Sequence, residues 1–404
     1  MANEFSYYEI NKLLWRWSKK EGARIVHDAS LSMDKAPPAL AKQPESKAPP
    51  PSPNRTANTV NGVMDAFEAL GRFKKWLDTP DPPKPPKAPP AKKDYMAVPP
   101  FDIQEIPGAM RKEHMPIGAK LMERWFAGRL NYSPTDSDEK ALINQEGKPY
   151  PATMFEENMV TLKWIIGFER ARVKYDYLIS QAIRTPNALV KLKEKLAFYA
   201  GATEIFPEKM CSGDLMELHK LFQFQFVGVD GALSEKLLTQ IKAGTERFGV
   251  PDDLSSALGS FNFYAAIGHA RFFRKFNEKS ISFENEKYAE ITGILVYVKD
   301  NYTFSDLSGS PSQYLGHWGE SGVIVMPVDA IASVIDHVPY VDSPIPHLDV
   351  AVTTGRVTVK SELYYPVRNK DFREWAIKHQ RGGDFVVLTK PQYVPVYPPI
   401  TIML

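Results

Sequence analysis

The sequence predicts an α+β protein: helical N-terminal and middle regions followed by an antiparallel, β-rich C-terminal domain. Three observations predict it. Apolar residues recur at helical spacing through much of residues 1–250, alternation at period two takes over from about residue 251, and turn residues separate the later segments at intervals too short for parallel crossovers.

Residues 1–33 carry Ile10, Leu13, Leu14 and Trp17 at helical spacing, flanked by Lys12, Arg16, Lys19, Lys20 and Arg24, which predicts an N-terminal amphipathic helix. Such a stripe packs against its own protein; it can also lie on a membrane or in a groove. From residue 34 to 112 the composition changes, and sixteen of the 34 prolines fall between residues 34 and 100, in tracts such as KAPPPSP and TPDPPKPPKAPPAKK. Dense proline favours extended polyproline II segments that build no core, so these are read as linkers. Between the tracts, at about 57–78, Val60, Val63, Met64, Phe67, Leu70 and Leu77 mark one helical face. A lone helix cannot bury its stripe by itself, so it is expected to dock on this chain or on a partner.

Residues 113–250 are expected to be a helical domain. Ile117, Leu121, Trp125 and Leu130 give one face, and MVTLKWIIGFERARVKYDYLISQAI, NALVKLKEKLAFYA and SEKLLTQIKAG continue the pattern. Residues 251–404 are expected to be the β-rich domain. Phe261, Phe263, Ala265 and Ile267 alternate, and YAEITGILVYV, GVIVMPV, LDVAVTTGRVTVKSELYYPV and DFVVLTK follow. One helix, KDFREWAIKHQ, is expected to stop at Gly382 and Gly383.

Fifty basic against 48 acidic residues leave a formal charge of +2, with no field that calls for a polyanion, so nucleic acid is not an expected partner. Cys211 is the only cysteine, which excludes an internal disulfide and a cysteine-rich zinc site. Glu4, Glu9 and Lys12 interrupt any signal-peptide core, and no apolar run reaches the length of a transmembrane segment. Lys163, Glu169, Arg170 and Arg172 break up the helical stretches and argue against membrane permeabilisation. The expectation is a protein made in the cytoplasm whose export, if it occurs, needs no cleaved leader. There is no G-x-S-x-G, G-x-x-x-x-G-K-[ST], H-E-x-x-H or G-x-G-x-x-G motif.

Beyond the apolar run GILVYV, the stretch VKDNYTFSDLSGSPSQYLGHW gathers Asp300, Tyr302, Asp306, His317 and Trp318. Carboxylates at a strand end, here Asp300 and Asp306, can hold magnesium through oxygen. Tyr302 can place a phosphate and His317 can move a proton, which together suits metal-assisted phosphoester hydrolysis. The same residues also fit an ordinary turn, with Asp300 capping it, Tyr302 and Trp318 packed on the sheet, and His317 incidental. A second cluster, VIDHVPYVDSPIPHLDV, offers Asp336, His337, Asp342, His347 and Asp349 to a transition metal, although turn chemistry accounts for its aspartates too. Arg368, Arg373 and Arg381, with His379, form a third group that can bind phosphate or carboxylate, or simply face solvent.

Two resemblances add to this reading. From IPGAMRKEHMPIGAKLMERWFAGRL through FNEKSISFENEKYAEITGILVYVKDNYTFSD to PVRNKDFREWAIKHQRGGDFVV, the chain resembles an uncharacterised bacterial family associated with type VI secretion spike genes, over roughly residues 100 to 390. That implies an effector or cargo role. LGSFNFYAAIGHARF followed by ITGILVYVKDNYTF resembles the catalytic half-barrel of colicin M-like bacteriocins, magnesium-dependent toxins that cut the peptidoglycan precursor lipid II at its phosphate linkage. Asp300 matches the first aspartate of their Asp-x-Tyr-Asp motif and Tyr302 the tyrosine. Thr303 stands where the second aspartate belongs and no His-Arg pair follows closely, which leaves Asp306 and His317 as the replacements. The resemblances imply an antibacterial toxin that acts in the target-cell periplasm on this lipid-linked precursor, with a secretion spike or chaperone and an immunity protein as partners. The alternative is a non-enzymatic adaptor or structural cargo that binds the spike.

Overall fold

In the computed structural model the described residues are 4–11, 16–40, 98–230, 252–277, 282–306, 312–326 and 349–404. The docking helix expected at 57–78 lies outside them. In chain order the elements begin with β1 (Phe5–Asn11), β2 (Arg16–Val26), α1 (Ile106–Lys112), α2 (Pro116–Ala127), α3 (Asp136–Ala141) and β3 (Phe155–Glu156). Next come α4 (Leu162–Ile165), α5 (Glu169–Ser180), α6 (Pro186–Ala197), β4 (Glu204–Ile205), α7 (Pro207–Met210), α8 (Leu215–Phe222), β5 (Gln223–Val229) and α9 (Asp253–Leu258). The chain ends with β6 (Phe261–Asn277), β7 (Ser282–Tyr302), β8 (Tyr314–Gly319), β9 (Gly322–Val325), β10 (Ala351–Thr353), β11 (Leu363–Arg368), α10 (Asn369–His379), β12 (Phe385–Leu388) and β13 (Gln392–Met403). The expected α+β class is what forms.

The chain divides into two units. The first draws on Met1–Phe155, Leu237–Ala257 and Tyr302–Phe385, the second on Glu156–Lys236, Leu258–Asn301 and Val386–Leu404. In the first unit six antiparallel strands close a barrel in the order β1-β2-β10-β11-β8-β9, with β9 returning to β1 through Tyr8–Val325 and Glu9–Ile324. Tyr7, Ala23, Ile324, Met326, Val352 and Tyr364 form its core.

Two of those strands overturn an expectation, because the segment read as an N-terminal amphipathic helix is the β1–β2 hairpin. Phe5 and Tyr7 pack inward at period two, and the strand hydrogen bonds are completed by β9 and β10, partners more than 300 residues away that no local periodicity reveals. Between the pairs Phe5–Ala23 and Tyr7–Lys20, β2 carries one extra residue, and Gly22 at φ +107° takes up that bulge. The linker expected to run to residue 112 ends earlier. Phe101, Ile103 and Ile106 are fully buried, and the Asp102 carboxylate accepts from Gln104 N, Lys35 N and Ser32 Oγ, each at 3.0 Å.

An aromatic cluster joins α2 to α10. Trp125 meets Phe304 edge-on at 5.0 Å and Phe372 at 5.6 Å, while Phe304 and Phe372 stack at 3.8 Å. The end of α10 differs from expectation, since Gln380 at φ 52° takes the left-handed position after the helix. Gly382, at φ +91°, instead makes room for Trp125, whose ring would lie 2.7 Å from a Cβ placed there.

The second unit is built on a seven-stranded sheet. Long strands β6 and β7 pair at its centre, β4 and β5 pair with β6, β12 and β13 flank β7, and β3 extends the sheet beyond β12. Phe261, Phe263, Ala265 and Ile267 are buried as their alternation predicts. Strand structure begins earlier than expected, with β4 and β5 inside the stretch read as helical. Helix α8 places His219 against this sheet, with Nδ1 2.9 Å from the Tyr297 hydroxyl. Burial, then Lys299 and Lys195, pushes this imidazole down from 6.5 to about 4.

A histidine held neutral by the fold takes up its proton more readily in the unfolded chain, so its contribution is complete above pH 6.5 and is lost as pH falls through about 4. Wild-type protein should therefore lose up to about 3 kcal/mol more stability than His219→Gln between pH 7 and pH 4, measured by chemical denaturation of both at each pH. Equal losses would contradict the burial of this ring.

Candidate functional site

The predicted catalytic residues are drawn from both units. Asp300 belongs to the second unit, whereas Tyr302, Asp306 and His317 belong to the first. Tyr302 is a core side chain: its ring stacks on Phe385 at 4.9 Å and 9°, meets Phe304 edge-on at 5.6 Å, and burial pushes its hydroxyl well above the ordinary value. Asp306 closes a turn, its Oδ1 accepting from Gln313 N at 2.9 Å and from Asn369 Nδ2 at 3.0 Å.

His317 is fully buried on β8. Its Nε2 donates to Val350 O at 2.9 Å, so in the neutral ring Nδ1 accepts the Tyr314 hydroxyl proton at 2.5 Å. With both ring nitrogens engaged, this histidine fastens the barrel wall and offers no nitrogen to a substrate. Magnesium needs several oxygen ligands around one point, usually from one or two carboxylates and water. Asp306 already binds two donors, and among the described residues no group of three or more His, Cys, Asp and Glu comes together. Of the second cluster, Asp336, His337, Asp342 and His347 lie outside the described residues, and Asp349 pairs with Arg368 at 2.9 Å.

What does assemble is a polar network centred on Asp384, the residue after the Gly382-Gly383 turn. Its carboxylate is 95% buried, with Oδ1 accepting from Trp125 Nε1 at 2.9 Å and Oδ2 from Thr303 Oγ1 at 2.9 Å. The Arg373 guanidinium, itself 11% exposed, pairs with Oδ2 and donates to Thr303 Oγ1 at 3.0 Å. The Tyr132 ring lies 5.7 Å from the same guanidinium. Thr303, which lacks the carboxylate of the colicin M-like motif, thus has one beside it in space. Sequence reasoning missed Asp384 because Gly-Gly-Asp reads as a turn, and nothing local marks it for burial.

The other members of the arginine group are also engaged. Arg381 donates to Gly128 O, Ala127 O and Pro38 O, satisfying carbonyls at the end of α2, and His379 Nε2 donates to Met33 O at 2.8 Å. Arg368 donates to Ser312 O at 2.6 Å besides its pair with Asp349. These groups tie segments of the first unit to one another.

A family described as a family of unknown function (DUF6402) matches residues 101–404. The chain belongs to that family. DUF6402 here takes in both helices of the aromatic cluster and all of the Asp384 network, and it begins after β1 and β2. Its description names no reaction, delivery route or partner. No curated protein and no solved structure matches the chain.

Asp384→Asn keeps an acceptor for Trp125 but leaves Arg373 without a counter-charge, so the first unit should lose about 3–5 kcal/mol by urea denaturation at neutral pH. Coupling Arg373→Met to it should restore part of that loss. A cost below about 1 kcal/mol would mean the pair behaves as a solvated surface bridge.

Proposed function

We propose that this DUF6402 protein is a non-enzymatic adaptor or cargo protein of a contact-dependent secretion machine, and that its second unit binds the delivery spike or its chaperone. The supporting observation is the distribution of exposed apolar side chains. Among the described residues, every exposed large hydrophobic except Leu40 and Val359 belongs to the second unit. Tyr397 is 93% exposed and Phe198 85%, and Val173 and Tyr177 on α5, Val190 on α6 and Phe226 on β5 add to the set. On this reading these aromatic and aliphatic groups are what the spike or chaperone covers. The delivery context rests on the resemblance to spike-associated proteins. No helix among the described residues is long and apolar enough to cross a membrane.

A second reading keeps the antibacterial toxin that hydrolyses lipid II, cytoplasmic in the producer and active in the target periplasm. One observation favours it: Asp384 brings a carboxylate to Thr303, the position where the colicin M-like pattern lacks one. The engagement of that carboxylate by Arg373 and Trp125 weighs against it as a ligand for magnesium.

Expression in the periplasm of a sensitive bacterium separates the two. The adaptor reading expects unchanged growth, together with copurification of the co-expressed spike that falls at least about tenfold in the Phe198→Asp, Tyr397→Asp double variant. Growth arrest that Asp300→Ala abolishes in a folded protein would establish the toxin instead.

A further inference from the structure

The second unit carries a hydrogen-bonded relay of threonine, histidine and glutamate that neither functional reading uses. His269 on β6 places Nδ1 2.6 Å from the Thr292 hydroxyl of β7, and Nε2 3.4 Å from Oε2 of Glu204 on β4. An ionised carboxylate only accepts, so the proton of the neutral imidazole stands on Nε2, and Nδ1 is left to accept from the threonine hydroxyl. Glu204 faces Arg271 in the β4–β6 ladder, but that guanidinium is paired with Glu290, which leaves the Glu204 carboxylate to the imidazole.

The sheet is interrupted where this relay forms. In the β6–β7 ladder His269 pairs with Gly293 and Ala270 with Ile291, so Thr292 is passed over. In the β7–β13 ladder the pairing steps from Gly293–Pro395 to Ile291–Ile400, and Thr292 is passed over again. Bulges of this kind re-aim a side chain and recur beside reactive centres. His269 and Thr292 are both half-buried, and Phe206 lies flat on the imidazole at 4.5 Å and 19°, which fixes the plane of the ring. The Tyr393 ring of β13 fills the space that a Cβ on Gly293 would take, on the face that carries His269.

We infer that Thr292 is an acyl-acceptor site, a threonine made nucleophilic by His269 as its base, with Glu204 as the positioning residue of that base and an acyl thioester as the donor. Thr292 Oγ1 gives its proton to His269 Nδ1 as its lone pair forms a bond to the thioester carbonyl carbon, and the tetrahedral adduct collapses with cleavage of the C–S bond. The electron pair of that bond leaves on sulfur, the imidazolium returns the proton to the thiolate, and the products are an ester on Thr292 and a free thiol. A thioester suits this geometry because a thiolate departs with less help from an acid than an alkoxide does, and the relay supplies a single imidazole as both base and acid. Phe206, 38% exposed over the ring, and Tyr393, 50% exposed, offer apolar surface to the acyl chain. The transfer occurs once per chain and needs no turnover, so it goes beyond the adaptor reading without opposing it.

The test incubates the full chain with S-octanoyl-N-acetylcysteamine and follows it by intact-mass and peptide mass spectrometry. An octanoyl group should appear on Thr292, removed by alkaline hydroxylamine as an ester is and a lysine amide is not, with thiol released in equal amount. Thr292→Ser should keep the transfer and Thr292→Val should lose it. His269→Gln should slow it at least about a hundredfold. Glu204→Gln should slow it about fivefold at saturating thioester while leaving the half-saturating concentration unchanged, a split that a general loosening of the sheet would not produce. Octanoylation confined to lysines, no adduct on Thr292, or the same rate in His269→Gln as in wild type would overturn the site. Thiol release that runs on past one equivalent would overturn it as well, because the chain would then be turning the thioester over.

Discussion

A carboxylate cannot stand alone in an apolar interior, and the burial of Asp384 imposes that constraint on the whole exit of β7. Trp125 reaches it from α2, Thr303 from the chain leaving β7, and Arg373 from α10, so three elements distant in sequence are oriented by one side chain. The aromatic cluster of Trp125, Phe304 and Phe372 is built around the same elements. A buried pair of this kind adds little net stability over well-packed apolar residues, but removing one member is costly, so its effect is to admit only one arrangement of the elements that carry it.

That constraint decides how the candidate chemistry is read. In sequence, the segment after the most apolar strand reads as an active-site rim because it gathers aspartates, a tyrosine and a histidine. In the fold Tyr302 is core, Asp306 closes a turn and His317 links Tyr314 to Val350. These side chains already have partners, and catalysis would require displacing them. On the adaptor reading proposed above, the exposed apolar groups of the second unit are the surface that associates.

The sequence made some parts legible and hid others for physical reasons. Strand β6 was readable because Phe261, Phe263, Ala265 and Ile267 alternate over a length that a helix cannot imitate. Helix α2 was readable through Leu121 and Trp125 on one buried stripe. Strands β1 and β2 were not, because Ile10 and Trp17 also fall at helical spacing and the partners that decide the matter, β9 and β10, lie at the far end of the chain. In the site, Thr303 was visible as a departure from a motif, yet the Asp384 carboxylate beside it could be found only in space. Outside that site, the burial of His219 gave no signal either: a single histidine on a short helix is legible as buried only once the sheet sets Tyr264 and Tyr297 beneath it.

Hydrogen exchange of the Arg373 guanidinium protons, followed by NMR in the intact chain, tests the central claim most directly. If Asp384 holds Arg373 as the organising contact of the first unit, those protons exchange only when the unit opens, on the same timescale as the core amides of α2 and α10. Guanidinium protons that exchange freely while those amides stay protected would show that the pair is loose and that some other interaction organises the exit of β7.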